Sequence, residues 1–334
     1  MNELRQDPIT GDWVIMAPDR GARPHAVPAA PDRTRRAEPC PFCPGNEFQT
    51  PPELWRLTGA DGAWRIRVVP NKFAALTPID APTRGAEGFV AMAAYGHHEV
   101  IIESPCHNAD LATVAVAQVT AVLAAYRQRY RALAASSGTA LIVIFRNHGS
   151  ASGTSLDHPH SQIVSTPFVP PQAQQRLEHA RRHFDRTHVN LYADVLGNEL
   201  RDGRRIVSTR SDLVAFQPYA SIVPFETWIV PRHPQASFGH IDDSVLDQLA
   251  GMTRVVLGGL REVLHDPPYN LVVHSSPLSD ENNDYFSWHL QIVPRLGIAA
   301  GFELGTGMAI NSVVPERAAA ALRAAVGRQI AAGV

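Results

Sequence analysis

The stretch TALIVIFRNHGSASGTSLDHPHSQIVST, residues 139–166, decides the fold. Its opening third is an apolar run typical of a buried strand. Its last part, HPHSQIVST, is typical of a second strand. Between them the segment SASGTSLD is a loop of small side chains. The stretch therefore predicts two strands joined by a loop.

The elements around this stretch recur in the same order later in the chain. One copy, a strand, a helix and two further strands, spans roughly residues 96–167, and the second spans roughly 225–296. The segments that carry the repeat are the strands HHEVIIESP (97–105), ETWIVPRHP (226–234), YNLVVHSSP (269–277) and YFSWHLQIVPRL (285–296), with helices over 111–133 and 242–264. We interpret this pattern as an internal duplication.

The matched order predicts the fold class α+β, with two duplicated halves and a largely antiparallel sheet that carries helices on one side. The halves are expected to form domains over residues 1–167 and 168–334. Two more helices are predicted, a connector over 171–185 and a closing helix over 315–329. At 334 residues the chain is long enough for two packed halves or for one large unit.

The composition is that of an ordinary globular protein. Charged residues make up 19% of the chain, hydrophobic residues 45%, and the net charge is -2, a balance that gives no indication of a nucleic-acid surface. The amino terminus lacks the pattern of a signal peptide, and no stretch approaches the ~18 apolar residues of a membrane helix. We expect a soluble cytoplasmic protein without nucleic-acid or membrane partners.

The HPHSQ segment carries the strongest chemical signal. His158, His160 and Gln162 alternate along the predicted strand, so their side chains share one face. The preceding loop offers backbone N–H groups and hydroxyls that could surround phosphate oxygens, from Asn147, Gly149, Ser152, Gly153, Thr154 and Ser155. A phosphate beside a histidine strand indicates phosphoryl or nucleotidyl transfer.

His160 is the candidate nucleophile, because an imidazole can attack phosphorus once a partner on its other nitrogen fixes the tautomer. Gln162 is the candidate donor to a non-bridging oxygen as negative charge builds up in the transition state. An isolated H-x-H is more often a metal pair or a hydrogen-bonded strand surface. The adjoining loop favours the catalytic interpretation.

Cys40 and Cys43 form a C-x-x-C pair in a segment rich in proline and arginine. Thiolates at this spacing can share a tetrahedral zinc ion, which needs two more ligands, and His107 and His158 are the natural donors. Such an ion would be structural and would tie the segment to the catalytic strand. The alternatives are a redox pair or two unligated residues, and Cys106 could replace His107 as a ligand.

Over nearly its whole length the sequence resembles the galactose-1-phosphate uridylyltransferases of the histidine-triad superfamily. Several motifs in the same order carry this resemblance and are far more specific than H-x-H alone. They are DPITGDWVIMAPDRGARP (7–24), CPFC with the following GN, VVPNKFAAL (68–76), ESPCH (103–107), FRNHGSASGTSLDHPHSQ (145–162), WHLQIVPR (288–295) and GFELGTG (301–307).

The resemblance implies two histidine-triad-like halves and a zinc ion held by Cys40, Cys43, His107 and His158. It implies that His160 becomes uridylylated while Gln162 steadies the transferred phosphoryl group. The implied substrate-binding residues are Arg20, Arg23, Asn147, Ser152, Gly153, Thr154 and Ser155 near the phosphates, Phe42 and Asn71 near the base and ribose, and Phe302 and Glu303 near the sugar. The plain alternatives are surface charges at Arg20 and Arg23, packing for Phe42 and local capping by Glu303.

The implied reaction is ping-pong. A nucleoside diphosphate sugar leaves its nucleotide on His160, and a second sugar phosphate takes it up; in the usual form the substrates are UDP-glucose and galactose 1-phosphate. The alternatives are phosphorolysis of an ADP-sugar or dinucleoside polyphosphate, nucleotide binding without turnover, and hydrolysis, which Gln162 disfavours because hydrolytic relatives tend to have histidine there. A homodimer is expected because family members are commonly dimers.

The second half departs from the family pattern. Some members bind a second metal there through a glutamate and three histidines. His274 and His289 match, but Gln291 replaces a histidine and Glu178 is only nearby in sequence, so this site is expected to be empty or weak. Ser287 stands where an H-x-H would begin, which predicts one catalytic strand per chain.

The nucleotide site departs from the pattern at one position. Lys72, the only lysine of the chain, follows Asn71 where better-known members carry an acidic residue. The contact with the base or ribose is therefore expected to differ.

Overall fold

The computed structural model describes residues 2–22, 40–78 and 89–333. These ranges contain thirteen strands and six α-helices. The strands are β1 (Glu3–Gln6), β2 (Trp13–Met16), β3 (Trp55–Thr58), β4 (Trp64–Pro70), β5 (His97–Ile102), β6 (Leu141–His148), β7 (His160–Thr166), β8 (Ile206–Thr209), β9 (Leu213–Phe216), β10 (Thr227–Pro231), β11 (Tyr269–His274), β12 (His289–Pro294) and β13 (Ala309–Asn311). The helices are α1 (Val116–Ala134), α2 (Pro171–Thr187), α3 (Leu191–Asp202), α4 (Asp243–Leu264), α5 (Gly301–Thr306) and α6 (Pro315–Ala331).

Ten strands form one sheet in the order β3-β4-β5-β7-β6-β11-β12-β10-β9-β8, and every neighbouring pair in it is antiparallel. The order reads the same from both ends: β3, β4, β5, β7 and β6 take the places in one half that β8, β9, β10, β12 and β11 take in the other. The α+β class, the largely antiparallel sheet and the duplication are thus confirmed. Each half also contains one pair of strands that the sequence did not indicate, β3 and β4 in the first half and β8 and β9 in the second.

The two halves meet at the centre of the sheet. There β6 pairs antiparallel with β11, with Tyr269 opposite His148 and Val273 opposite Ile144. A smaller sheet of β1, β2 and β13 joins the beginning of the chain to its end. The domain division at residues 167 and 168 stays a prediction.

Helices α1, α4 and α6 cover one face of the large sheet and form the main core with it. The apolar positions of α4, such as Leu246, Leu249, Val256 and Leu260, are buried, as expected for a helix whose wide apolar stripe faces a sheet. The helix begins where the Asp242 carboxylate accepts from the backbone N–H of the third helical residue at 2.8 Å.

The opposite face is also covered, which differs from the expected one-sided arrangement. Helices α2 and α3 pack there against the second half through Leu177, Tyr192 and Leu196. Side chains alternate along a strand, so Val214 and Phe216 of β9 meet these helices while Leu213 and Ala215 join the main core. In the first half this face carries the CPFC segment.

Most of the predicted element positions hold, with shifts at their beginnings. Helix α1 begins at Val116 rather than at residue 111, because the Asp110 carboxylate and carbonyl accept from residues 112–114 and close a separate turn. Strand β7 begins at His160 rather than at 158, since Pro159 lacks an N–H group for the ladder. No helix within the described ranges is long and apolar enough to cross a membrane.

Candidate active site

A cavity of about 700 Å³ lies over β4, β5 and β7, on the face opposite α1. Its volume falls in the range of pockets that hold small organic ligands. Five predicted site residues line it: Phe42, Asn71, Ser155, His160 and Gln162. The rest of the described wall comprises Pro41, Phe48, Gln49, Thr50, Pro51, Val69, Pro70, Lys72, Phe73, Val100 and Leu156.

His160 is held in one tautomer. Its Nδ1–H donates to the backbone carbonyl of His158 at 2.8 Å, which leaves the lone pair on Nε2. The ring is 8% exposed and lies edge-on to Phe42, with centroids 5.5 Å apart. Burial lowers the pKa of His160, so the neutral imidazole is favoured.

Gln162 lies two residues further along the same face and is fixed by two side chains, His98 on the neighbouring strand β5 and Asn71 just after β4. Its Oε1 lies 2.7 Å from His98 Nε2 and accepts from Asn71 Nδ2 at 3.2 Å. Asn71 Oδ1 in turn accepts from the backbone N–H of Phe73 at 2.9 Å. The sequence pattern identifies His98 only as a strand residue.

The loop after β6 is held mainly by its own hydrogen bonds. Ser152 Oγ donates to the Gly149 carbonyl at 2.7 Å, and Thr154 Oγ1 donates to the carbonyl of Leu156 at 2.9 Å. Asn270 on β11 donates to both Asn147 Oδ1 and the Ser152 carbonyl, at 2.8 and 2.9 Å. The structure therefore places Ser155 on the cavity wall, while Asn147, Ser152, Gly153 and Thr154 shape the loop behind it.

The loop needs glycine at its first turn. Gly149 has φ +79°, and a Cβ there would lie 2.9 Å from the Pro268 side chain. A side chain at this position would therefore be strained by both its backbone conformation and its neighbour.

Cys40, Cys43, His107 and His158 converge into a group that can hold a metal ion, with all four ligand atoms within 4.8 Å of one another. The Sγ atoms lie 3.4 to 3.7 Å from the histidine Nδ1 atoms, which suits ligands around a shared tetrahedral ion. His158 Nε2 donates to the Ser104 carbonyl at 2.8 Å, which leaves Nδ1 free as a ligand. Cys106 is exposed and outside this group.

Three other predicted residues are not part of the described cavity wall. Arg20 is half-buried in a short turn after β2. Phe302 is 46% exposed on α5, and the Glu303 carboxylate accepts from the Ala300 N–H at 3.1 Å, the local capping noted as its alternative. Arg23 lies outside the described residues.

The residues considered for a second metal site are engaged in hydrogen bonds with other side chains. Arg176 donates to His274 Nδ1 at 2.9 Å, and His274 Nε2–H donates to Gln291 Oε1 at 2.8 Å, so both ring nitrogens are engaged. Gln291 Nε2 then donates to the buried Glu226 at 2.7 Å. Burial lowers the pKa of His274 to about 3.

The other two residues considered there are also accounted for. His289 is sandwiched between the rings of Trp228 and His274, with centroids 4.4 and 4.6 Å away. The Glu178 carboxylate is exposed and accepts from Gln174 at 2.9 Å. The carboxylate that lies in this network is that of Glu226, a residue that no sequence motif marks.

Lys72 is the only residue with a formal charge among the described residues that line the cavity. Its side chain is exposed and makes no hydrogen bond or ion pair within the described part of the chain. A ligand that carries negative charge would therefore meet one cation on this wall.

Comparison with known proteins identifies the family. Residues 1–170 match the family described as galactose-1-phosphate uridyl transferase, N-terminal domain. The chain is 35% identical over 330 residues to the ADP-glucose phosphorylase of Arabidopsis thaliana, covering 96% of this chain and 92% of that protein. It is 27% identical over 333 residues to the galactose-1-phosphate uridylyltransferase of Thermotoga maritima, covering 97% and 98%.

Solved structures show the same two relationships. An ADP-glucose phosphorylase from Arabidopsis thaliana with bound ADP-glucose matches with a TM-score of 0.83 and 33% identity, over 97% of this chain and 98% of that one. A uridylyltransferase matches with a TM-score of 0.78 and 26% identity, over 99% and 100%.

The fold, the histidine strand and these relatives define a nucleotidyltransferase. Within that class, the chain belongs to the galactose-1-phosphate uridylyltransferase family.

Proposed function

We propose that the protein transfers a nucleotidyl group from a nucleoside diphosphate sugar through a covalent nucleotidyl-His160 intermediate. The observation that carries this proposal is the orientation of His160. Its Nδ1 is held by a backbone carbonyl, and the ring lines a cavity of suitable size, so Nε2 is the nitrogen available to attack phosphorus.

The reaction has two steps. His160 Nε2 attacks the α-phosphorus, a P–N bond forms, and the bond to the bridging oxygen breaks to release the sugar 1-phosphate. An oxygen of the second phosphate compound then attacks the same phosphorus, the P–N bond breaks, and the imidazole is regenerated. The Gln162 carboxamide donates to a non-bridging oxygen in both transition states.

The cavity wall supports distinct roles for the other residues. We assign Asn71 and Phe42 to the ribose and base and Ser155 to the phosphates, because all three line the cavity together with His160. The imidazole ring plane of His160 is steadied by its contact with Phe42. Positioning of this kind lowers the entropic cost of bringing the reacting atoms together.

The first candidate substrates are UDP-glucose and galactose 1-phosphate, as family membership suggests. A second candidate is phosphorolysis of ADP-glucose, which is favoured by the 35% identity to the Arabidopsis phosphorylase against 27% to the Thermotoga uridylyltransferase. Both reactions use the same nucleotidyl-histidine step and differ in the base and in the acceptor.

Intact-protein mass spectrometry tests the proposal. Zinc-loaded wild type is incubated separately with UDP-glucose and ADP-glucose, under quenching that spares phosphoramidates, with His160→Ala as the control. A uridylyl mass on wild type alone supports the uridylyltransferase, and an adenylyl mass supports the phosphorylase. Nucleotide binding without an adduct from either donor would contradict the covalent mechanism and favour a binding protein.

We further propose that the Cys40, Cys43, His107 and His158 group binds one structural zinc ion. The thiolate and imidazole ligands suit zinc, and the ion would anchor the CPFC segment to the start of β7. We expect Cys43→Ser to lose the metal, while Cys106→Ser, a matched thiol outside the group, keeps about one equivalent per chain.

The measurement for this prediction is metal content by elemental mass spectrometry after gel filtration in a metal-free buffer. A His274→Ala variant is expected to retain the same single equivalent. Two equivalents of metal per wild-type chain, with one of them lost in His274→Ala, would reveal a second metal site. That result would contradict the assignment of a single zinc ion per chain.

Lys72 is proposed to bind the anionic nucleotide sugar. We expect Lys72→Met to raise the Kd about 10- to 100-fold, because a charge-assisted contact contributes roughly 1.5–3 kcal/mol, with little change in kcat. The check is titration calorimetry with both nucleotide sugars, and Arg317→Met, an exposed cation on α6, is the control. An unchanged Kd in Lys72→Met would remove this residue from the site.

A homodimer stays a prediction. Phe302 and its neighbours Ile298 and Leu304 are exposed apolar residues, 46%, 94% and 77% accessible. The segment GFELGTG is thus free to meet a second subunit. We propose that Phe302, Glu303, Arg20 and Arg23 act on the substrate from such an assembly.

A further inference from the structure

We propose that His98 is a positioning residue of this site, whose imidazole holds the Gln162 carboxamide with its NH₂ end turned to the phosphoryl group. The inference rests on the nucleotidyl transfer proposed above. The family resemblance assigns no role to His98. Only the strand register and the hydrogen bonds of the structure place it beside Gln162.

The sheet register brings His98 to Gln162. In the pairing of β5 with β7, Val100 lies opposite Gln162 and His98 lies opposite Val164. Residues two apart on a strand share a face, so His98 is the diagonal neighbour of Gln162. Asn71, the residue after β4, also lies beside Gln162, because its backbone N–H donates to the His98 carbonyl at 2.8 Å.

The tautomer of His98 follows from its second partner. The backbone N–H of Ala75 donates to His98 Nδ1 at 3.1 Å, so Nδ1 is an acceptor and the proton lies on Nε2. Nε2–H then donates to Gln162 Oε1 at 2.7 Å. Asn71 Nδ2 also lies 3.0 Å from Nε2, and with the proton on Nε2 this amide donates to Gln162 Oε1 rather than to the ring.

This arrangement fixes which end of Gln162 faces the cavity. The Gln162 oxygen receives two donors, from His98 and from Asn71. A flipped carboxamide would bring its NH₂ group against both donors, which is unfavourable. The NH₂ group is therefore the end left for the substrate, and it is the end that can stabilise a phosphoryl oxygen.

The same imidazole also anchors the loop that follows β4. Its bond to Ala75 joins residues 71–75, which include Asn71 and Lys72, to β5. The His98 side chain thus orients the Gln162 amide and also holds the loop that lines the cavity.

Two substitutions separate these functions, because asparagine places its oxygen near the Nδ1 position and glutamine places its amide near Nε2. We expect His98→Gln to retain most of kcat, since its amide can still donate to Gln162. We expect His98→Asn to keep the Ala75 contact and lose on the order of 10- to 100-fold in kcat with little change in KM. His97→Asn is the matched control, because His97 faces the other side and contacts Ser165.

A stereochemical readout distinguishes positioning from general destabilisation. Nucleotide sugars with sulfur at one non-bridging α-phosphate position exist as two diastereomers, and an oriented Gln162 amide makes wild type prefer one. His98→Asn is expected to reduce that preference as Gln162→Ala does, and the double variant is expected to be no worse than Gln162→Ala alone. An unchanged preference, or additive losses, would overturn the proposal.

The geometric claim is also testable without turnover. The ¹⁵N spectrum of histidine-labelled protein should show His98 protonated at Nε2 and not at Nδ1, with its signals perturbed by Gln162→Ala. Protonation at Nδ1 would overturn the proposal whatever the activity. Absence of a nucleotidyl adduct on wild type with the Nε2–H tautomer intact would instead contradict the proposed function, and with it the catalytic role of His98.

Discussion

His160→Ala is expected to lower kcat by at least about 10⁴-fold, the scale on which removal of a covalent nucleophile acts. The loss should be this large because no other described side chain on the cavity wall is an imidazole, a thiol or a carboxylate. Steady-state turnover of the nucleotide sugar that forms the adduct, measured with the acceptor present, gives the magnitude.

Binding provides the control for this variant. The Kd of the nucleotide sugar should change by no more than about fivefold, since His160 acts on the transition state rather than on ground-state binding. Gln162→Ala should show a smaller loss, about 10²- to 10³-fold, as expected for one donor to a developing charge. A His160→Ala enzyme with more than a hundredth of wild-type kcat would exclude the nucleotidyl-histidine mechanism.

The second large effect is expected from Glu103→Gln, on the opposite side of β7 from the cavity. The Glu103 carboxylate accepts from the buried Arg146 at 3.0 Å and also contacts the hydroxyls of Ser161 and Tyr126. Removal of one partner from a buried ion pair leaves the other charge without compensation and costs about 3–5 kcal/mol. The free energy of unfolding should fall by that amount.

Urea denaturation followed by tryptophan fluorescence measures this change. The control is Asp243→Asn, which breaks the ion pair with Arg127 at the start of α4, where the Asp243 side chain is 88% exposed. Little effect is expected there because solvent screens exposed pairs. Equal shifts of the denaturation midpoint in the two variants would show that burial of Glu103 is not what makes its pair important.

The sequence predicted those features that local patterns determine. The long strands, the amphipathic helices and the alternation of His158, His160 and Gln162 all follow from short periodic segments, and the structure has them within a few residues. The clustering of Cys40 and Cys43 with His107 and His158 was anticipated from ligand chemistry and from the family resemblance. Each of these signals lies within one segment or in residue types with few alternative uses.

The features that were missed depend on contacts between distant segments. His98 looks like an ordinary strand residue until the register of β5 and β7 places it beside Gln162. Glu226 enters the network of His274 only through the pairing of β10 with β12. The short strands β1 and β13 carry too few residues for a periodic pattern to stand out.

The large sheet, whose strand order reads the same from both ends, joins two equivalent halves in one chain, so the two halves can differ in sequence. A symmetric dimer of two identical half-length chains, paired through strands equivalent to β6 and β11, would carry every residue twice. A substitution in one subunit would also occur in the other, because both have the same sequence. Tandem fusion removes that constraint. One half can then keep His160 on the cavity wall while the other buries the corresponding His289 between Trp228 and His274.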